Sequence, residues 1–402
     1  MKRILQTLLC TAWLCAAYAQ HEPPMVWLVT YGSGERVEEQ FGHNALWIRD
    51  PGRGIDKIYN FGFFDFDQPG FYRAFASGQM IYFALARSPE EEFSYYQWRD
   101  REIRVQQLAL TADRIRRLTD WLEARIQPGT RDFRYDYYYN NCSNRIRDAL
   151  DHALDGRLQR YAVERPARLN FREHTRRMLA DAPLLYLATE LALGRRADRP
   201  ITLWEEMFLP EVLAEALGEF DMASDADGSQ PLVLADLVLY ASTRPQPPRD
   251  PSFAWPAVLW MLGAGLCLVL TPLGLARDRG WRLLGARLWI VCCALLGLGL
   301  AALWWGTEHR MAACNENLLL FNPLWLLLIR FRNSRIERLA GGMLAAMCLL
   351  ALALKLLPGA QWNHELLVAV VPVHAAVLWT WLRLASHAAP GRQEPPPTRV
   401  SD

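Results

Sequence analysis

From Trp255 onward the sequence runs in long apolar blocks, and these limit what that half of the chain can become. Five blocks stand out: Trp255–Leu275, Leu283–Trp305, Leu318–Phe331, Leu339–Leu357 and Leu366–Leu384. A helix needs about 20 apolar residues to cross the hydrocarbon core of a bilayer. Backbone polar groups there must be satisfied within the protein. The region from residue 253 to 386 is therefore expected to be a five-helix transmembrane domain. The third block is short and contains Asn322 and Pro323, which points to a tilted, broken or partly re-entrant segment.

Charge orients these spans. Arg277, Arg279 and Arg282 follow the first block; Arg330, Arg332, Arg335 and Arg338 follow the third; Arg392 and Arg399 lie in the tail, 387–402. The remaining two turns carry few positive charges, chiefly Arg310. Basic turns stay in the cytoplasm, so five spans place the first half of the chain on the outer face. The start of the chain gives the same answer independently. "MKR", an apolar run and "AYA" before Gln20 read as a signal peptide over residues 1–19.

Between these regions the chain is charged and mixed, like a globular domain. Proline-rich "ASTRPQPPRDP", within the expected linker at 241–252, separates it from the membrane half. Lysine and arginine total 44 against 43 aspartates and glutamates, a balance that suggests no nucleic-acid partner. Short runs rich in β-branched and aromatic residues come first: "MVWLVTY", "HNALWIR", "KIYNFGF", "MIYFALA" and "IRVQQLAL". A helical stripe of Ile115, Leu118, Leu122 and Ile126 follows, with Thr111 as its cap. Cys142, Ile146, Ala149 and Ala153 share one face of a further helix. This half is α+β: a mainly antiparallel sheet, then helices, with a helical extension expected over 171–240.

Cys142, in "RYDYYYNNCSNRIRDAL", raises a chemical question. Of the eight cysteines, Cys10 and Cys15 fall in the signal peptide, Cys267, Cys292, Cys293 and Cys348 in spans, and Cys314 in an outward turn. Cys142 thus lacks a disulfide partner in its own domain. In a secreted domain this suggests either a reactive thiol or a small buried hydrophobe; a bridge to Cys314 is a third option. Asn140 or Asn141 can cap a helix starting at Cys142. A thiol in that first turn meets the positive end of the helix dipole, which favours thiolate, and free amides there can hold an oxyanion.

A nucleophilic thiol needs a base. The soluble half offers His21, His43, His152 and His174. His21 sits at the processed terminus, and His152 lies about 15 Å along the cysteine's own helix. His43, which opens the strand "HNALWIR", is the candidate base, and Asn60 on the next strand is the candidate for orienting it.

"FGHNALWI", "IYNFGFFDF" and "YNNCSNRIRDAL", in that order, resemble the periplasmic domain of the Lnb family of bacterial lipoprotein N-acyltransferases. "LGRRADRPITLWEEMFLP" and "NENLLLFNPLWLLL" resemble its membrane-proximal and membrane segments, so the resemblance runs from Met25 to Leu384. It implies a circularly permuted papain-like (NlpC-like) catalytic domain over 20–170, with His43 preceding Cys142. It implies transfer of an acyl chain from a phospholipid, through a Cys142 thioester, to the N-terminal amine of a diacylglyceryl-cysteine lipoprotein at the bacterial inner membrane, with no cofactor. Asn141, Ser143, Asn144 and Tyr139 are the expected substrate-binding residues. Asn144 stands where Thr or Ser is expected from the resemblance, which bears on substrate contacts. Scattered Cys and His lack zinc-ligand spacing, so no metal is expected. A cell-wall amidase or peptidase and a non-enzymatic membrane scaffold are the alternative readings.

Four further features have two readings each. "FGFFDFDQPGFYRAF" is core or a lipid-contacting surface. "LWEEMFLPEVLAEAL" lies on the bilayer or packs on the catalytic domain. The turns "TEHRMAACNEN" and "QWNHE" are solvated loops or head-group sites. His374, inside the last span, is either functional or tied by an interhelical hydrogen bond.

Overall fold

The computed structural model describes residues 22–65, 67–224, 228–275, 278–332 and 334–386. The expected signal peptide, Arg277 and the cytoplasmic tail lie outside the described residues. The chain divides into two compact units. One takes the residues up to Ala182 with Arg199–Ser252 and Thr307–His309; the other takes Pro183–Asp198, Phe253–Gly306 and the chain from Arg310 onward.

The first unit is built on an antiparallel sheet. Its strands are β1 (Met25–Tyr31), β2 (His43–Asp50), β3 (Ile55–Phe63), β4 (Ile81–Arg87), β5 (Ile103–Leu108), β6 (Asp132–Arg134) and, after a short hairpin of β7 (Asp221–Ser224) and β8 (Gly228–Pro231), β9 (Val233–Tyr240). Their order in the sheet is β6-β4-β3-β2-β1-β5-β9. Helices α1 (Phe71–Ser77), α2 (Pro89–Trp98), α3 (Ala112–Glu123) and α4 (Cys142–Ala153) come between or after the strands. Phe93 and Tyr96 of α2 pack with Val29, Tyr31, Ala45, Ile58, Ile103 and Val105 on one face of the sheet. Helices α3 and α4 cover the other. Covering both faces explains why β1 reads as a nearly continuous apolar run and not as an alternating one. Each fully buried Leu or Ile, such as Leu28, Leu46 and Ile48, contributes roughly 2 kcal/mol by area removed from water.

Expectation and structure part company over 171–240. Helices α5 (Arg157–Val163) and α6 (Phe171–Met178) are followed by α7 (Pro183–Ala192), which groups with the membrane unit. Helices α8 (Leu203–Glu206) and α9 (Pro210–Glu219) return to the first unit, and β9 then closes the edge of the sheet beside β5. Asp236 on β9 takes Arg104 Nε at 2.8 Å and Gln106 Nε2 at 2.9 Å, both from β5. A pairing between such distant segments leaves no local signature, which is why this edge strand was read as part of a helical extension. "LWEEMFLPEVLAEAL" packs on the domain: Met207, Leu209, Leu213 and Leu217 are fully buried. In the aromatic loop, Phe61 and Phe71 are core, while Tyr72 and Phe75 are exposed.

The second unit holds four helices long and apolar enough to cross a membrane: α10 (Trp255–Leu275), α11 (Leu284–Gly306), α12 (Arg335–Ala353, continuing in a short 3₁₀ turn) and α13 (His364–Ser386). The expected third span is different. Glu316–Leu319 and Pro323–Leu328 are 3₁₀ turns, interrupted at Asn322, whose backbone is extended. Glu316–Leu328 is shorter than the four membrane-length helices. Side chains satisfy the break. Asn322 Oδ1 accepts from the Leu324 amide at 3.1 Å, and Trp325 Nε1 donates to the Leu320 carbonyl at 2.9 Å. Leu320, Trp325, Leu328 and Phe331 are fully buried. Non-helical backbone is tolerated at membrane depth when protein surrounds it in this way. Gly297 of α11 makes room for it, since a Cβ there would meet Asn322 Cα at 2.5 Å.

The two polar turns are not simple solvated loops. Asn315, Asn317, Gln361 and Asn363 are buried and bonded to one another and to α7. Asn317 Nδ2 donates to the Leu191 carbonyl at 3.0 Å, Asn363 Nδ2 to Asn317 Oδ1 at 2.6 Å, and Gln361 Nε2 to the Leu193 carbonyl at 2.9 Å. His374 is buried against Trp325, with ring centroids 4.4 Å apart, and its Nδ1 accepts from Trp289 Nε1 at 3.2 Å. The interhelical hydrogen bond is the reading that fits.

Candidate active site

The site begins with a turn that launches a helix. Asp136 Oδ1 accepts from the amides of Tyr138 and Tyr139, each at 3.0 Å, and Asp136 bridges to Asn140. This folds "YDYYYN" back so that Asn141 becomes the cap of α4. Asn141 Oδ1 accepts from the Asn144 amide at 2.9 Å, and Asn144 Oδ1 accepts from the Asn141 amide at 3.0 Å, a reciprocal capping box. Asn141 Nδ2 donates to the carbonyls of Tyr137 and Phe208, both at 2.9 Å. Ser143 Oγ lies 2.9 Å from Asn44 Oδ1 and 2.7 Å from the Met207 carbonyl. The side chains of Asn141, Ser143 and Asn144 are thus engaged in holding the start of the helix. Tyr139 stands against Phe171, with ring centroids 5.6 Å apart, and beside Arg199.

Cys142 is the first residue of that helix and is 8% exposed. His43 opens β2, and Gly62 lies where β3 bulges, between Phe61 and Phe63, at φ +142°. A Cβ built on Gly62 would be 3.6 Å from Cys142 Cβ and 3.6 Å from His43 Cε1. The cysteine and the imidazole therefore border the same small space, no farther apart than twice that distance. His43 Nε2 is 3.0 Å from Asn60 Oδ1. Asn60 is fully buried, pairs with Ala45 across the ladder and turns its Nδ2 toward the Ile58 carbonyl at 3.4 Å. An amide oxygen opposite Nε2 favours the tautomer with its proton on Nε2, which puts the ring's lone pair on Nδ1.

Burial governs the electrostatics. It pushes the Cys142 thiol above its ordinary value, against the backbone N–H groups of Asn44, Ser143 and Cys142 itself and the charge of Arg101. It pushes His43 down to about 4, partly offset by Asn60 and reinforced by Arg101. The helix N-terminus favours thiolate as expected, through the N–H groups of Ser143 and Cys142, but desolvation is the larger effect. The resting pair is a neutral thiol beside a neutral imidazole. Burial raises the phenols of Tyr82, Tyr96 and Tyr135, and all three lie within the electrostatic reach of Cys142. Tyr82 also stacks on Tyr135 at 4.0 Å and meets Phe64 at 4.9 Å, forming an aromatic wall.

Sequence reasoning missed two contributors. Asn44 links sheet to helix, taking Ser143 on Oδ1 and donating from Nδ2 to Thr30 Oγ1 at 2.9 Å; a polar residue inside an otherwise apolar strand was its signal. Gly62 keeps side-chain atoms out of the gap between Cys142 and His43, and a glycine within a strand pattern signals a bulge or a close approach. Among the described residues no group of three or more His, Cys, Asp or Glu could hold a metal ion, and Cys142 and Cys314 are both free thiols.

A cysteine and a histidine border one small space where a helix starts against an antiparallel sheet, in a chain with four membrane-length helices. A family model described as the Lnb N-terminal periplasmic domain matches residues 11–181. A second, the Lnb transmembrane domain, matches residues 248–389. The chain belongs to the Lnb family, as an Lnb-type lipoprotein-modifying membrane protein with a periplasmic domain. No curated protein and no solved structure matches it.

Proposed function

We propose that this protein is a lipoprotein N-acyltransferase of the bacterial inner membrane, working by ping-pong transfer through Cys142. The observation that carries the reading is the shared border of Cys142 and His43 at Gly62, with Asn60 Oδ1 at His43 Nε2. The helix-borne cysteine, packed against a sheet whose histidine comes earlier in the chain, also fits a permuted papain-like layout.

As the Cys142 sulfur attacks the acyl carbonyl carbon of a phospholipid ester, its proton passes to His43 Nδ1. The N–H groups of Cys142 and Asn44 hold the oxyanion. Collapse breaks the ester C–O bond, His43 returns the proton to the leaving oxygen, and lysophospholipid departs from a thioester. The α-amine of a diacylglyceryl-cysteine lipoprotein then attacks that thioester. His43 takes a proton from the nitrogen and gives it to the departing sulfur, leaving an amide. The wall of Phe64, Tyr82 and Tyr135 suits an apolar donor chain. A neutral resting pair suits proton transfer concerted with attack.

The test is mass spectrometry of a lipoprotein's N-terminal peptide from cells that have no other acyltransferase for this step. The third acyl chain is expected with the wild-type protein and absent with Cys142→Ala or His43→Ala. A third chain present with either variant refutes the reading.

A further inference from the structure

Behind the candidate triad lies a buried carboxyl that the reaction scheme does not use. Glu92, on α2, is 1% exposed, and neither of its oxygens has a hydrogen bond of full geometry. An isolated buried carboxylate is expensive, so its surroundings matter. The groups turned toward it are the Asn60 amide from β3, the Tyr31 hydroxyl from β1, the Arg101 charge from the turn before β5, and the Arg87 guanidinium from β4 at 3.9 Å. Tyr96, on Glu92's own helix, also lies within its field. The Tyr31 hydroxyl has no other partner.

Asn60 stands between this carboxyl and His43. Its side chain has an accepting end and a donating end that differ little in shape. Only one orientation gives His43 an oxygen. The bond from Nδ2 to the Ile58 carbonyl is long, at 3.4 Å, and is a weak determinant of that orientation.

We propose that Glu92 is a positioning residue: its carboxylate draws the Asn60 amide nitrogen, turns Asn60 Oδ1 to His43, and so keeps the Nδ1 lone pair of His43 free for Cys142. The proposal rests on the reading of His43 as the base. Burial raises the Glu92 carboxyl to about 7, against the opposing pull of Arg87, Asn60, Tyr31 and Arg101. Once protonated, Glu92 becomes a donor. It then favours the flipped amide, which presents Nδ2 to His43 and moves the imidazole proton onto Nδ1. The site is active with anionic Glu92 and loses its base as pH falls through about 7.

Two measurements on the full-length protein in detergent test this. The first is the ¹⁵N spectrum of labelled histidine without substrate. Wild type should show the Nε2-protonated form of His43 at pH 8 and a shift toward the other tautomer below pH 7; in Glu92→Leu the two forms should be mixed at every pH. The second is the kcat profile. Glu92→Leu should lower kcat by about 10- to 100-fold, by analogy with outer-shell groups that orient a metal-bound histidine. KM should be nearly unchanged and the limb near pH 7 lost, while Glu92→Asp should restore both kcat and limb. An unmoved tautomer in Glu92→Leu, or a retained limb with full kcat, overturns the proposal. A pH-dependent tautomer in a protein that transfers no acyl chain would uphold the positioning role and overturn the proposed reaction instead.

Discussion

Replacing Asn141 by alanine separates a structural role from a catalytic one. The side chain caps α4 and donates two 2.9 Å hydrogen bonds, to Tyr137 and Phe208. Losing a cap costs about 1 kcal/mol. Each hydrogen bond to a carbonyl left without its donor costs roughly another 1 kcal/mol. The variant should lose about 3 kcal/mol, concentrated in the first turn of α4. The chain has two compact units, so a single global unfolding energy is not defined. Urea dependence of Cys142 alkylation reports on this turn directly, and the variant should become reactive at markedly lower urea. Activity per folded molecule should stay within about threefold. A side chain donating to the oxyanion behaves in the opposite way, because its removal costs 10²–10³ in kcat. A loss of that size with an unshifted urea profile would refute the capping assignment.

Three other outcomes follow from the same geometry. His43 has a depressed folded pKa of about 4 against an ordinary 6.5, so its contribution to stability is present above pH 6.5 and lost as pH falls toward 4; His43→Gln should flatten that stretch of the pH dependence of the urea midpoint for Cys142 alkylation. Gly62→Val places a branched side chain at φ +142°, in the space that Cys142 and His43 share; alkylation of Cys142 in the folded protein should slow at least tenfold, and an unchanged rate would contradict the described opening. Gly297→Leu should disrupt the membrane unit, because even a Cβ meets the Asn322 backbone; a detergent-solubilised variant with wild-type thermal stability would contradict the close approach of α11 to the broken segment.

Much of this molecule is readable from local pattern. The strands of "MVWLVTY", "HNALWIR" and "KIYNFGF", the cap at Asn141 and the helix bearing Cys142 all follow from spacing and residue type, and they stand where expected. Pairing between distant segments is what escaped. β9 joins β5 across a long stretch of intervening chain, and the buried turns around Asn317 and Asn363 look solvated until α7 supplies their partners. Asn322 and Pro323 marked the third block as irregular, but only packing against α11 and α12 explains how 3₁₀ turns persist there. At the candidate site, Cys142, His43 and Asn60 can be named from sequence because thiol chemistry demands a base and something to hold it, and the fold brings all three to one end of the sheet. Asn44 and Glu92 cannot, because each works through a neighbour.

The most direct measurement of the central claim is a search for acyl label on Cys142. Purified protein is incubated with phospholipid carrying a labelled acyl chain, quenched at low pH without acceptor, digested and examined by mass spectrometry. The account predicts a hydroxylamine-sensitive acyl adduct on the peptide containing Cys142, which disappears when a diacylglyceryl lipopeptide is added before quenching and is missing in His43→Ala. Acyl transfer to the lipopeptide with no label ever found on Cys142, or undiminished by Cys142→Ser, would contradict it.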